Sequence, residues 1–221
     1  LQGIPDLAEK IIIERDLTLL EDFNCRYHIS QISSSKSVDI IKQKKNNVDF
    51  TTGVSINNLA LNENDIGDFR TFLKLSPPLR TENDRVSLIN AINSDLIDVI
   101  VSDHKPEDEE SKRLTFSQAA TGASGIEILL PLALELFHNE SIKLFNIIKL
   151  LTSNPAKILK INKGNLSIGN DADFCIVDLY KPWVVKKEKM YSKSKNTCIE
   201  DKKLQGQVTN TFIKGEELFN I

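Results

Sequence analysis

Asp103 closes the apolar run Ile97-Asp-Val-Ile-Val101. A carboxylate at the C-terminal end of a buried strand stands where parallel α/β barrels place groups that take up and release protons. The same residue type in the same place also caps the turn that follows, so both roles are open. Other chemistry-bearing side chains are scarce. Histidine occurs only as His28, His104 and His138, and cysteine only as Cys25, Cys175 and Cys198. His28 lies in an alternating stretch and reads as a packed or hydrogen-bonded strand histidine. His104, next to Asp103, points away from it by strand alternation. His138 ends a helical stretch, where its ring complements the helix dipole. The cysteines are odd in number and lack CxxC spacing. They read as reduced thiols, with Cys25 and Cys175 inside apolar runs that look like core. Arg80, after Pro77-Pro78, serves equally as an anion-binding fork or as a structural ion-pair partner.

The elements that must position these groups follow from periodicity. Leu1–Pro5 reads as a loop tail with Pro5 at a helix start. Apolar residues at helical spacing predict a helix over Asp6–Glu21, and further helices follow over Ser37–Lys44 and Asp84–Asn93. Alternation predicts strands over Arg26–Ile32 and Phe50–Ile56, a short extended run over Arg70–Leu75, and a near-continuous buried strand over Leu96–Val101. A charged loop from Lys105 to Arg113 precedes helical stretches over Gly125–His138, Ile142–Leu151 and Asn154–Leu159. Strands alternating with helices imply βα units and a parallel sheet. After Lys160, Gly164, Gly169, Gly206 and Gly215 punctuate short strands, the clearest being Asp173–Asp178 and Val208–Ile213. The expected organisation is therefore βα units over residues 1–160 and a β-rich unit over 161–221.

Hydrophobic residues make up 40% of the 221 and charged residues 27%, with a net charge of −3. Acidic and basic residues are interspersed, so nothing argues for nucleic acid or an anionic membrane as partner. No apolar run approaches a membrane span of roughly 20 residues, no signal-peptide layout is present, and the expected compartment is the cytoplasm. Lys far outnumbers Arg and Asn is abundant, a bias of AT-rich coding in which His becomes Asn by one base change.

Six motifs in order carry a family resemblance. Arg26-Tyr-His-Ile-Ser-Gln-Ile-Ser-Ser34 resembles the "H-V-x-H-V-S-T" strand of class I dihydroorotases, and Thr52-Gly-Val-Ser-Ile-Asn-Asn-Leu59 resembles their "E-V-T-P-H-H-L". Lys74-Leu-Ser-Pro-Pro-Leu-Arg80 with Asp84-Arg85 is similar to "K-x-N-P-P-L-R…D-R", and Ile97-Asp-Val-Ile-Val-Ser-Asp-His104 resembles "I-D-x-I-x-(T/S)-D-H-A-P-H". Gly122-Ala-Ser-Gly-Ile-Glu127 resembles "G-x-x-G-L-E-T", and Asn154-Pro-Ala156, Gly169–Phe174 and Ser192–Thr197 resemble the closing segment. The version with Asn62–Gly67 and Lys195–Thr197 looks most like alphaproteobacterial dihydroorotase-like proteins.

The resemblance implies the C-terminal half of a TIM-type (β/α)8 amidohydrolase barrel plus a small β-sandwich-like domain. Three or four βα units cannot close an eight-stranded barrel, so the chain is expected to be a fragment or to lack an N-terminal portion. In active relatives zinc at the barrel mouth activates a water that opens dihydroorotate, and carbamoyl aspartate closes in the reverse direction. The resemblance makes Asp103 the metal-contacting proton carrier, Gln31 the occupant of a strand-six His ligand position, and Arg80 and Gly122 substrate contacts. Ser76 stands where the family has Asn, Glu107 where it has His, and Asn57-Asn58 where it has His-His. A Gln amide is a weak, neutral zinc ligand, and a carboxylate at 107 repels an anionic substrate. The favoured expectation is a catalytically impaired homologue or a non-catalytic partner of aspartate carbamoyltransferase, expected as a homo-oligomer. The alternative is an active zinc-dependent dihydroorotase or related cyclic amidohydrolase, its other ligands lying in the absent half. A hydantoinase- or allantoinase-like enzyme ranks third, because Pro77–Arg80 followed by Asp84-Arg85 looks like dihydroorotase.

Overall fold

Proline lacks the amide proton that a first helical turn leaves unpaired, and Pro5 leads directly into α1 (Asp6–Asp22). The computed structural model describes residues 3–23 and 25–221, so Leu1 and Gln2 of the expected tail lie outside the described residues. α1 buries Ile13 and Leu17 and leaves Leu7, Ile11, Ile12 and Leu19 exposed. β1 (Tyr27–Ile32) follows, then α2 (Ser35–Lys44), β2 (Phe50–Ser55) and the short α3 (Ile56–Ala60). α4 (Glu82–Asn93) leads into β3 (Val99–Val101), and α5 (Glu109–Lys112) is a single turn. α6 (Leu129–His138), α7 (Leu144–Leu151) and α8 (Ser153–Leu159) complete the helices.

The three strands pair in parallel in the order β1-β2-β3, as βα alternation requires. Gly53 makes their close pairing possible: a Cβ there would lie 2.3 Å from the Ser30 carbonyl oxygen and 3.1 Å from Val99 Cγ2. Ile29, Ile32, Val54 and Ile100 of the sheet pack in one core with Ile41, Leu88, Ile92, Leu132 and Ile147 of the helices. Asn154 Nδ2 donates to the Asp98 carbonyl at 2.8 Å, which ties α8 to the start of β3. A separate antiparallel sheet contains β4 (Phe174–Val184), β5 (Lys203–Ile213) and β6 (Glu216–Asn220). Phe174 and Phe212 face each other in its register, their rings stacked 4.7 Å apart. His138 at the end of α6 bonds the Leu179 carbonyl at 3.0 Å, and Lys202 pairs with Glu135 at 2.8 Å, so this sheet is docked on α6. Among the described residues no helix is long and apolar enough to cross a membrane.

Three expectations need correction. The run at Arg70–Leu75 is not extended: residues 71–73 form a 3-10 turn, closed by the Leu73 amide on the Arg70 carbonyl at 3.0 Å. Its alternation reflects burial of Leu73 and Leu75 from a turn. Cys25 and Cys175 are exposed, and Cys198 is the buried thiol. Cys25 lies in the α1–β1 connection, and Cys175 lies on the solvent side of β4, whose pattern of apolar residues does not say which face is covered.

Asp84 locks the start of α4 to the start of α2. It forms a capping box with Thr81 and accepts from the amide and hydroxyl of Ser35, both at 2.8 Å. Burial opposes its ionisation, yet these hydrogen bonds hold its carboxyl below the usual carboxylate value. A depressed carboxylate contributes stability above its unfolded value and loses it as pH falls through the folded one. Asp84→Ala is therefore expected to cost about 2–3 kcal/mol at neutral pH, a lost cap plus charge-assisted bonds. The deficit should shrink as pH is lowered below 4. Urea unfolding across that range is the check, and a deficit below about 0.5 kcal/mol at pH 7 would contradict it.

Candidate active site

Parallel strands of similar length end at one level, so whatever follows their last residues shares one edge of the sheet. Ser55 is the last residue of β2, Gln31 lies next to the end of β1, and Asp103 comes two residues after β3. Gln31 Nε2 donates to Asp103 Oδ1 at 3.0 Å. Asp103 adopts φ +48°, a left-handed conformation that Asp tolerates better than most residues and that turns its carboxylate back over the strand ends. Desolvation pushes the Asp103 carboxyl above its ordinary value. The hydrogen bond from Gln31, the charge of Lys105 and the hydroxyl of Ser55 oppose that push without cancelling it. A half-buried carboxylate of this kind is suited to hold a proton that a neighbour releases.

The three histidines are elsewhere or engaged. His28 pairs with Thr51 in the sheet and bonds its hydroxyl at 2.7 Å. Desolvation pushes its ring below the ordinary histidine value. Nδ1 of His104 accepts from the Gly125 and Ile126 amides at 3.1 and 3.3 Å, which places its proton on Nε2. His138 serves the α6–sheet contact, beyond the dipole role expected of it. Around the strand ends the donors are thus one carboxylate, one neutral amide and one hydroxyl. Among the described residues no three His, Cys, Asp or Glu side chains converge in a way that could hold a metal ion. The zinc implied by the resemblance does not fit these donors on their own: Asp103 is the single anionic ligand, and its Oδ1 already accepts from Gln31. Nearby, Asn57 is fully buried with neither amide atom partnered, and Asn58 is anchored only through Nδ2 on the Pro78 carbonyl at 3.0 Å.

The remaining expected residues divide into two groups. Gly122 and Glu107 are brought together through Asn196. Asn196 Nδ2 donates to the Gly122 carbonyl at 3.2 Å, while its Oδ1 accepts from the Glu107 amide at 3.3 Å. Gly122 has φ +140°, and a Cβ there would stand 2.6 Å from the Lys105 carbonyl oxygen. The glycine is required by the protein's own chain. Lys105 Nζ lies 3.7 Å from the Glu107 carboxylate and offsets part of its charge. Glu107, Asp108, Lys187, Lys193 and Asn196 border a cleft of about 820 Å³. Arg80 stands apart from these, its Nε donating to Ser33 Oγ at 3.0 Å and its Nη1 to the Ile4 carbonyl. Ser76 is exposed on the loop between the buried Leu75 and Leu79.

Sequence reasoning missed Ser55, Asn196 and Lys112. The end-of-strand argument that singles out Asp103 applies equally to Ser55. Asn196 lay within the Ser192–Thr197 motif, but its partners at Glu107, Gly122 and Ser124 are 72 to 89 residues away and gave no sequence signal of its role. Lys112 sits in the stretch read as a charged loop, yet it is fully buried, its ammonium donating to backbone carbonyls.

Comparison with known proteins agrees with this geometry. The pattern of the Amidohydrolase family matches residues 2–218. Over 221 residues the chain is 40% identical to a dihydroorotase of Ehrlichia canis, covering 99% of this chain and 49% of that protein. It is 37% identical to a dihydroorotase of Acetivibrio thermocellus over 217 residues, or 97% of this chain and 51% of that one. An L-hydantoinase (dihydropyrimidinase) structure from Arthrobacter aurescens superposes with a TM-score of 0.91 at 27% identity, over 98% of this chain and 49% of its own. The chain thus spans about half the length of the curated relatives it matches. With the family pattern running through nearly every described element, the chain belongs to the amidohydrolase family and is dihydroorotase-like within it.

Proposed function

We propose that this chain is the C-terminal half of a TIM-type barrel with its appended β-rich domain (residues 1–160 and 161–221), from a dihydroorotase-like protein whose metal centre is degraded. The observation that carries the reading is the 3.0 Å hydrogen bond from Gln31 to Asp103. A His at position 31 would offer a ring nitrogen to a metal, and the Gln amide instead donates a proton to the one carboxylate that would bind it. Glu107 in place of His adds negative charge where an anionic substrate would need a donor, and Ser76 shortens a contact. Each lost hydrogen bond to a charged group costs about 1.5–3 kcal/mol, so together they reduce turnover by several powers of ten. A cytoplasmic homo-oligomer serving as structural partner of aspartate carbamoyltransferase accords with such a loss, and that partner comes from the resemblance alone.

A second reading, an active enzyme, is favoured by Asp103 itself. Its carboxyl is still pushed upward by burial at the strand ends, as a proton carrier requires. In that case Asp103 would hold the proton of a water that zinc, bound by ligands outside this chain, would activate.

Assay of the purified full-length protein with zinc, for dihydroorotate hydrolysis and carbamoyl-aspartate cyclisation, separates the two. Rates far below about 1 per second are expected, with partial recovery in the triple variant Gln31→His, Ser76→Asn, Glu107→His. Wild-type turnover within the usual enzyme range of about 1–1,000 per second would overturn the degenerate reading.

Asp103 gives a further expectation. A carboxyl whose folded pKa is raised contributes stability that is complete below the unfolded value, 3.8, and lost as pH rises through the folded value. Relative to Asp103→Asn, the wild type should therefore lose stability as pH rises above the unfolded value of 3.8. Parallel urea melts measure this, and a difference that does not change with pH would show that the carboxyl is not desolvated.

A further inference from the structure

Lys112 is the most deeply buried cation in the described chain, with 0% of its surface exposed. Its hydrogen-bond acceptors are all backbone carbonyls: Ala120 at 2.8 Å, Gly122 at 2.9 Å and, more loosely, Lys74 at 3.5 Å. A buried ammonium held this way grips chain, because each carbonyl that moves away leaves the charge less solvated. The gripped chain matters. After Asp103 the backbone makes an excursion from Lys105 to Thr121 and returns alongside its own start, where His104 pairs with Ala123 and the Lys105 amide bonds the Ala123 carbonyl at 2.9 Å. The Gly122 amide donates to the Lys74 carbonyl at 3.0 Å, and Thr71 holds the Lys112 carbonyl from the other side. Two further contacts, the Ala120 amide on the Ser111 carbonyl at 3.0 Å and Asn196 on the Gly122 carbonyl, close the ring. The groups whose charge reaches Lys112 are Cys198, Glu107, Lys74 and Lys105. Cys198 is pushed up to about 12 by burial and so supplies no neutralising thiolate.

We propose that Lys112 is a positioning residue. Its ammonium fixes the Ala120–Gly122 carbonyls and thereby sets where the returning arm of the loop stands beside Asp103. The role in ligand binding rests on the dihydroorotase-like reading, in which that arm borders the substrate; the positional role does not.

The test uses purified full-length protein and the variants Lys112→Met, Lys112→Arg and Lys112→Gln. Amide hydrogen exchange at Lys105 and Gly122 is followed against Ile100 in the sheet, and L-dihydroorotate binding is measured by calorimetry. Lys112→Met is expected to lose about tenfold or more of the protection at Lys105 and Gly122 with Ile100 unchanged, and to weaken L-dihydroorotate comparably. Arg or Gln, which keep N–H donors, should recover part of both. Unchanged protection in Lys112→Met would overturn the proposal. So would equal loss in all three variants, which would assign the effect to packing, or collapse of protection at Ile100 in all three, which would assign it to the core. Localised loss of protection in a protein that does not bind L-dihydroorotate would leave Lys112 as the loop's anchor and sink the substrate reading instead.

Discussion

At Gly53 the parallel sheet is too tight for any side chain, since an added Cβ would fall 2.3 Å from the Ser30 carbonyl oxygen. That close approach fixes the register of β1 on β2, and β2 in turn pairs Ser55 with Val101 on β3. Because the three strands run the same way, the registers bring Gln31, Ser55 and Asp103 to one edge. Helix residues share the sheet's core and hold the frame. The candidate site sits where the strands end, with Gln31 next to last in β1, Ser55 last in β2 and Asp103 on the loop after β3.

What the edge can do is decided by charge. Asp103 is half-buried, and the neutral amide of Gln31 donates to its Oδ1 at 3.0 Å. Desolvation outweighs the hydrogen bonds of Gln31 and Ser55 and the charge of Lys105, so the carboxyl rises above its usual value. A few residues on, the opposite problem is solved with backbone alone. Lys112 is wholly buried, and the penalty of several kcal/mol for burying a charge is offset by carbonyls drawn from Ala120 and Gly122. One loop therefore begins with an underpaired anion and is held shut by a cation.

Most of the framework was legible in the sequence. The apolar run before Asp103 reflects two-sided burial, whereas apolar spacing gave the extent of α1 but not its covered face: Leu7, Ile11, Ile12 and Leu19 are exposed, and Ile13 and Leu17 are buried. The order of motifs put Gln31 and Asp103 at neighbouring strand ends, and the two side chains are hydrogen-bonded at 3.0 Å. Three things were not legible, for one common reason. Exposed Cys25 and Cys175, the 3-10 turn at residues 71–73 and the burial of Lys112 all depend on which distant surface arrives to cover a residue. Lys112 shows this most clearly, because its carbonyl partners are fixed by a return of the chain that no local pattern announces. Arg80 had two open roles, and the structure gives it internal partners in Ser33 and Ile4.

The proposal of a degraded centre is tested most directly by zinc itself. Calorimetric titration of the metal-stripped full-length protein with zinc, read beside the same titration of Gln31→His, measures whether the strand-end donors can hold the ion. Dissociation on the order of millimolar or weaker is expected for the wild type, with clear tightening in Gln31→His. Stoichiometric zinc bound at about micromolar or tighter in the wild type, unimproved by the histidine, would contradict it.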